Sequence, residues 1–161
     1  MRALVGLVVV IAACDQGAPP PTPAPSLKRP HTVARTTVHL DDALPAHGIV
    51  LHIYGIGGDD LVAVDTDAST VRSAQHGFDV PKPTERTRPL SAGDRGLLLS
   101  LADAAWREEP NGHAPDVTDI GSHLAIADGD DVFVASGTIF WAPWRPAAAL
   151  LVTALDVAAA R

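Results

Sequence analysis

Two His and two Asp fall within the eleven residues from His113 to His123, namely His113, Asp116, Asp119 and His123. Imidazole and carboxylate are the ligand types of a borderline ion such as zinc. The spacing matches no established ligand pattern, and Pro115 and Gly121 make the stretch a loop. A polar surface loop is therefore the favoured reading, a metal-dependent enzyme the alternative, and no cofactor is expected. A second group is Phe140-Trp141-Ala142-Pro143-Trp144-Arg145-Pro146. Trp and Arg are the residues most enriched at binding hot spots, and a proline-stiffened loop loses little entropy on binding. The favoured reading has both Trp capping the core between the last strand and the last helix. Contact with a protein partner through Trp141, Trp144 and Arg145 comes second, and stacking on a sugar third.

Other chemistry fares worse. Asp59-Asp60, Asp65-Thr66-Asp67 and Asp128-Gly129-Asp130-Asp131 lack the ligand order of a calcium loop and fit turns, where Asp bonds its own backbone. No serine sits in a G-x-S-x-G elbow, and no Gly-rich loop opens a helix as phosphate binding requires. His39, His47, His52 and His76 are scattered. A non-catalytic chain is the expectation.

Cys14 has chemistry of another kind. Met1-Arg2 is a short basic start, Ala3 to Ile11 is an apolar run, and Ala12-Ala13 are small. That order is the grammar of a secretory signal, and the run falls short of the ~20 apolar residues that span a bilayer. Ile11-Ala12-Ala13-Cys14 resembles the lipobox of bacterial lipoproteins. The resemblance implies removal of residues 1–13, a diacylglycerol on the Cys14 thiol, and lipid anchoring in the cell envelope, facing the periplasm or the cell exterior. Acyl chains contribute ~0.8 kcal/mol per buried methylene, so several of them hold a protein stably. Cys14 is the sole cysteine, so no intramolecular disulfide forms and the fold must stand on its core.

Residues 14–32 read as a tether. Pro19, Pro20, Pro21, Pro23, Pro25 and Pro30 deny the segment helix and sheet. Polyproline II rises about 3.1 Å per residue, so the fifteen residues from Gln16 to Pro30 reach on the order of 45 Å.

Residues 33–161 are one domain by length, large enough for a real core. Loss of residues 1–13 removes Arg2 and leaves 11 basic against 19 acidic residues, a net charge of −8. That balance opposes nucleic acid, which needs clustered Lys and Arg. The pattern predicts strands over 36–40, 49–54 and 61–65, the last two a hairpin, and a short edge over 70–74. Residues 76–89 read as loop. Ser91 caps a helix with the stripe Leu98, Leu101, Ala102, Ala105 and ends before Pro110; Trp106 is expected in the core. Asp-Gly at 128–129 joins strands over 123–127 and 132–135. Pro146 opens a last helix with the stripe Ala147, Leu150, Leu151, Ala154, Leu155, Ala158. The fold class is α+β, in the order β-β-β-α-β-β-α, with antiparallel hairpins and both helices on one sheet face.

This order of elements, with Asp65-Thr66-Asp67 and Trp106 near the end of the first helix, resembles the emfourin type of bacterial inhibitor of thermolysin-family metalloproteases. The resemblance spans roughly residues 48–160 and leaves the segment 75–90 uncovered. It implies an inhibitor-like alternative to a general envelope-binding module, and no inhibitory residue carries over.

Overall fold

The computed structural model describes residues 29–37, 44–55, 58–77, 84–110, 121–137 and 144–161. Cys14, the tether before Arg29, most of the 113–123 cluster and Trp141 lie outside them. Among the described residues seven strands form one antiparallel sheet: β1 (Val33–Ala34), β2 (His47–Gly55), β3 (Gly58–Asp65), β4 (Thr70–Gly77), β5 (Thr84–Pro89), β6 (Gly121–Asp128) and β7 (Asp131–Gly137). Their order across the sheet is β1-β7-β6-β2-β3-β4-β5. Two helices, α1 (Ala92–Arg107) and α2 (Pro146–Ala160), complete the α+β fold.

Alternation along the strands decides where the helices go. Ile49, Leu51, Val62, Val64, Val71, Leu124, Ile126 and Phe133 share one face and pack on Leu98, Ala102, Ala105 and Trp106 of α1 and Leu151, Leu155 and Ala158 of α2. Both helices therefore cover the same side, as the pattern predicts. The opposite face is apolar only near its centre, where Val50, Ala63, Ala125, Ala127 and Val132 are buried with Leu44.

Trp106 is the largest fully buried side chain. Its ring tilts against Phe133 at 6.2 Å between centroids. Its indole Nε1 donates to Thr32 Oγ1 at 3.2 Å, and the Arg29 guanidinium stands 4.7 Å over the ring. A buried indole N–H needs such a partner. The chain thus engages the domain from Arg29, within the stretch that composition assigns to the tether.

Three elements depart from the sequence pattern. Thr36 and Thr37 belong to a 3-10 turn, Arg35–Thr37, rather than a strand. Arg35 explains the turn: its guanidinium donates to the carbonyls of Gly129 at 3.1 Å and Leu44 at 2.9 Å, and to those of Pro45 and Ala46. These bonds lash the entering chain to the β6–β7 turn and override the β-branched propensity of the threonines. Next, β4 is interior, because β5 pairs with it from Thr70–Pro89 to Gln75–Thr84. Residues 84–89 read as loop because an edge strand exposed on both sides shows no apolar alternation; Glu85, Arg86 and Thr87 are exposed. Finally, the buried stripe of α2 is Ala148, Leu151, Leu155 and Ala158. Leu150 is turned outward and 60% exposed.

Local chemistry elsewhere follows the pattern. Ser91 Oγ accepts from Asp94 N at 3.0 Å and caps α1. Gly129, at φ 64°, takes the first position of the two-residue β6–β7 turn, a backbone that favours glycine. The α2 start has no side-chain cap of its own. Glu108, just past α1, supplies one: both carboxylate oxygens accept from Ala147 N, at 3.1 and 3.0 Å. An anion at a helix N-terminus also meets the positive end of the dipole. This clip sets the end of α1 against the start of α2. Glu108→Ala is expected to cost about 1 kcal/mol in urea unfolding, whereas the exposed neighbour Glu109→Ala leaves the midpoint unchanged; equal effects would remove the clip from the account.

Candidate functional site

The strand register brings together side chains far apart in sequence. On the face away from the helices, His52 of β2 lies directly opposite His123 of β6, and His123 opposite Ser136 of β7. One step along β2, Tyr54 lies opposite Gly121 and Asp59, and Asp59 opposite His76. The result is two adjoining rows at one end of the sheet, Ser136-His123-His52 and Tyr54-Asp59-His76.

Their contacts are specific. Tyr54 stacks on His123 with ring centroids 5.2 Å apart and planes at 18°, and tilts against His52 at 5.6 Å. Its ring lies over Gly121, where a Cβ would collide with it. His123 Nδ1 and Ser136 Oγ are 2.9 Å apart. Serine and imidazole at that distance are also the pairing of an activated nucleophile. Here the two residues are directly opposed on a ladder, and cross-strand pairing alone brings them together. His52, Tyr54, His123 and Ser136 are all half-buried, so part of each side chain lies at the surface.

The residues singled out by type sit close by or out of view. Ser122, the neighbour of His123, pairs with Gly137, and Gly137 carries Trp144: a Cβ there would meet the indole at 2.8 Å. Trp144 is half-buried against the helix-side core, while Arg145 is exposed. The Trp144-Arg145 pair and the imidazole rows therefore occupy the same end of the sheet, on its two sides. Trp141 lies outside the described residues, as do His113, Asp116 and Asp119; His123 is the member of that group placed by the structure. Among the described residues, no set of three or more His, Cys, Asp or Glu gathers as a metal site.

A second polar group lies at the opposite end of β2. His47 Nδ1 is 2.8 Å from Asp67 Oδ2, and Nε2 is 3.7 Å from Asp128. Arg29 reaches Asp128 at 3.4 Å. These residues line a hollow of about 270 Å³ with Leu99 and Asp103 of α1. Asp67 holds the imidazolium by its hydrogen bond and its charge, which raises the His47 pKa above the ordinary histidine value. Another hollow, of about 340 Å³, lies between α2 and the sheet with Asp60, Arg86 and Asp156 on its walls. Desolvation, then the charge of Asp60, raises the Asp156 carboxyl above the usual range.

The sequence showed His52 and Tyr54 on one side of their strand. It carried no signal for His123 opposite His52, because that pairing joins strands some seventy residues apart. Among the described residues no helix is long and apolar enough to cross a membrane. No protein-family model, no curated protein and no solved structure matches the chain.

A raised imidazole pKa stabilises the fold fully below the unfolded value, about 6.5, and that contribution fades as pH rises through the folded value. With half the His47 ring in solvent the effect on stability is small. A proton NMR titration is the sharper test. His47 is expected to titrate above an ordinary histidine, and to return to that range in Asp67→Asn. An unchanged midpoint in the variant would detach His47 from Asp67.

Proposed function

We propose that the chain is a lipid-anchored bacterial envelope protein whose domain is a non-catalytic binding module. Cys14 is the lipid-bearing residue, residues 14–32 form the spacer, and the domain meets an envelope protein partner. The anchor rests on the signal-like start and the lipobox resemblance of Ile11-Ala12-Ala13-Cys14.

The observation that supports the binding reading is the stacked group His52, Tyr54, His123 and Ser136 at one end of the sheet face away from the helices. Held rings lose little entropy when a partner covers them, and Tyr supplies contact area with a polar tip. Neutral imidazole offers a donor and an acceptor on one ring. Arg145, exposed at the same end, adds a charged contact of the kind found at hot spots. Trp144 supports that end by its packing on Gly137, and Trp141 belongs to the same proposed contact region by sequence. The domain's negative charge argues against nucleic acid as the ligand.

An inhibitor of a metalloprotease is the narrower form of this reading and rests on the family resemblance alone. A metal-dependent enzyme using His113, Asp116, Asp119 and His123 is the alternative of a different class.

The binding reading predicts that a partner co-purifying with the full-length chain from membranes is lost from a variant carrying Tyr54→Ala and Arg145→Glu. Removal of a hot-spot residue costs about 2 kcal/mol or more, roughly a 30-fold loss of affinity. The variant should keep its cooperative thermal transition, and Glu85→Ala on the far edge strand should keep the partner. Undiminished capture by the Tyr54→Ala, Arg145→Glu chain would contradict this surface.

A further inference from the structure

Apolar side chains are exposed on the other side of the molecule, and no element among the described residues packs on them. Leu97 is 53% exposed, Leu150 60% and Val157 46%. The buried residues of each helix fix its inward direction, and about 100° per residue then fixes the rest. On α2 the outward side falls to Pro146, Ala149, Leu150, Thr153, Asp156, Val157 and Ala160. On α1 it falls to Gly93, Gly96, Leu97, Ser100, Ala104 and Arg107. The two charged residues, Asp156 and Arg107, stand on the flanks away from the facing helix, and the residues along the seam between the helices are uncharged.

The helices run antiparallel, as the contacts at their ends show. Glu108 meets Ala147 at one end, and Arg161 meets Asp94 at 2.8 Å at the other. Leu97 is therefore level with Val157, and Ala104 with Leu150. Large residues at both levels and the small Ala104 beside Leu150 give the seam between the helices a relief that complements itself. A twofold axis along the seam lays α1 of each copy on α2 of the other. Leu150 then faces Ala104 of the second copy, and Leu97 faces Val157.

We infer that this helix seam is the contact surface for a second copy of the same chain. Charge selects it. The chain carries a net −7, so copies repel one another over much of their surface, whereas the seam is neutral. Of the charges beside it, Asp94 is paired with Arg161 and Asp103 with Arg107, while Asp156 lines the hollow it shares with Asp60. Strand addition at the β5 edge is another route to self-association. That edge carries Glu85, Arg86, Arg88 and Pro89, the charged, proline-bearing composition that blocks edge pairing.

Size sets the strength of the contact. Helices of 16 and 15 residues are about 24 Å long, and two side by side are about 20 Å wide. The footprint is about 480 Å² per copy, roughly 1,000 Å² in total, below the ~1,200–2,000 Å² of stable soluble complexes. Two free copies therefore associate weakly. Chains tethered to one membrane meet at a high effective concentration, which strengthens the contact without adding to it. The surface follows from the fold, and its occupancy in the cell rests on the anchored reading above.

Photo-crosslinking tests it in the full-length chain. A benzophenone amino acid replaces Leu150, a differently tagged copy is co-expressed, and membranes and soluble fraction are illuminated separately. The expected product joins the two tags, with the crosslink on α1 of the second copy. Leu97→Glu in both copies should reduce it at least about tenfold, since a desolvated, unpaired carboxylate costs more than one decade of affinity. Leu97 and Leu150 are exposed, so the thermal transition should not move. Crosslinks to lipid or to another protein, or single chains alone, would overturn the inference. A two-tag product confined to the soluble fraction would keep the interface and sink the anchor.

Discussion

Everything in this fold depends on burying one face of a seven-stranded sheet beneath two helices, with Trp106 at the centre. The single cysteine leaves no disulfide to share the load. Burial of apolar area, at about 25 cal/mol per Å², must outweigh the entropy of ordering the chain. Trp106 concentrates that burial. It packs on Phe133 of β7 and at the same time receives the entering chain through Thr32 and Arg29. The indole therefore links the core to the segment that leads back towards Cys14.

The polar contacts refine a structure that burial has already made. Arg35 collects carbonyls from the segment before β2 and from the β6–β7 turn, which fixes where the chain enters. Glu108 closes one end of the helix pair and Arg161 the other. With both ends fixed, α1 and α2 present a neutral seam on one side of the molecule. The sheet presents its imidazole and phenol rows on the other. The imidazole and phenol rows and the proposed self-contact seam thus lie on opposite sides, whereas Arg145 stands at one end of the seam, next to Pro146.

Much of this was legible in the chain, and the gaps have physical reasons. The 49–65 hairpin, the Ser91 cap, the Asp-Gly turn and both helices announce themselves through local patterns. The strand β5 did not, because Thr84 to Pro89 buries little on either side and so shows no alternation. The α2 stripe departs from the sequence pattern at Leu150 because that helix is apolar nearly all round, and periodicity then has little contrast to offer. The imidazole rows were hidden for a different reason. His52, His123 and His76 meet through the register of distant strands, and register is not written in any one window of sequence. Trp144 was visible as a residue type, while its packing over Gly137 needed the fold.

The central claim is that this domain is held at a membrane by a lipid on Cys14, and intact-mass spectrometry of the full-length gene product, extracted from bacterial membranes, tests it most directly. The account predicts a mature chain that begins at Cys14 and carries the mass of a diacylglyceryl group, absent when Cys14 is replaced by Ala. A chain that begins elsewhere, or that bears an unmodified Cys14 thiol, would contradict it.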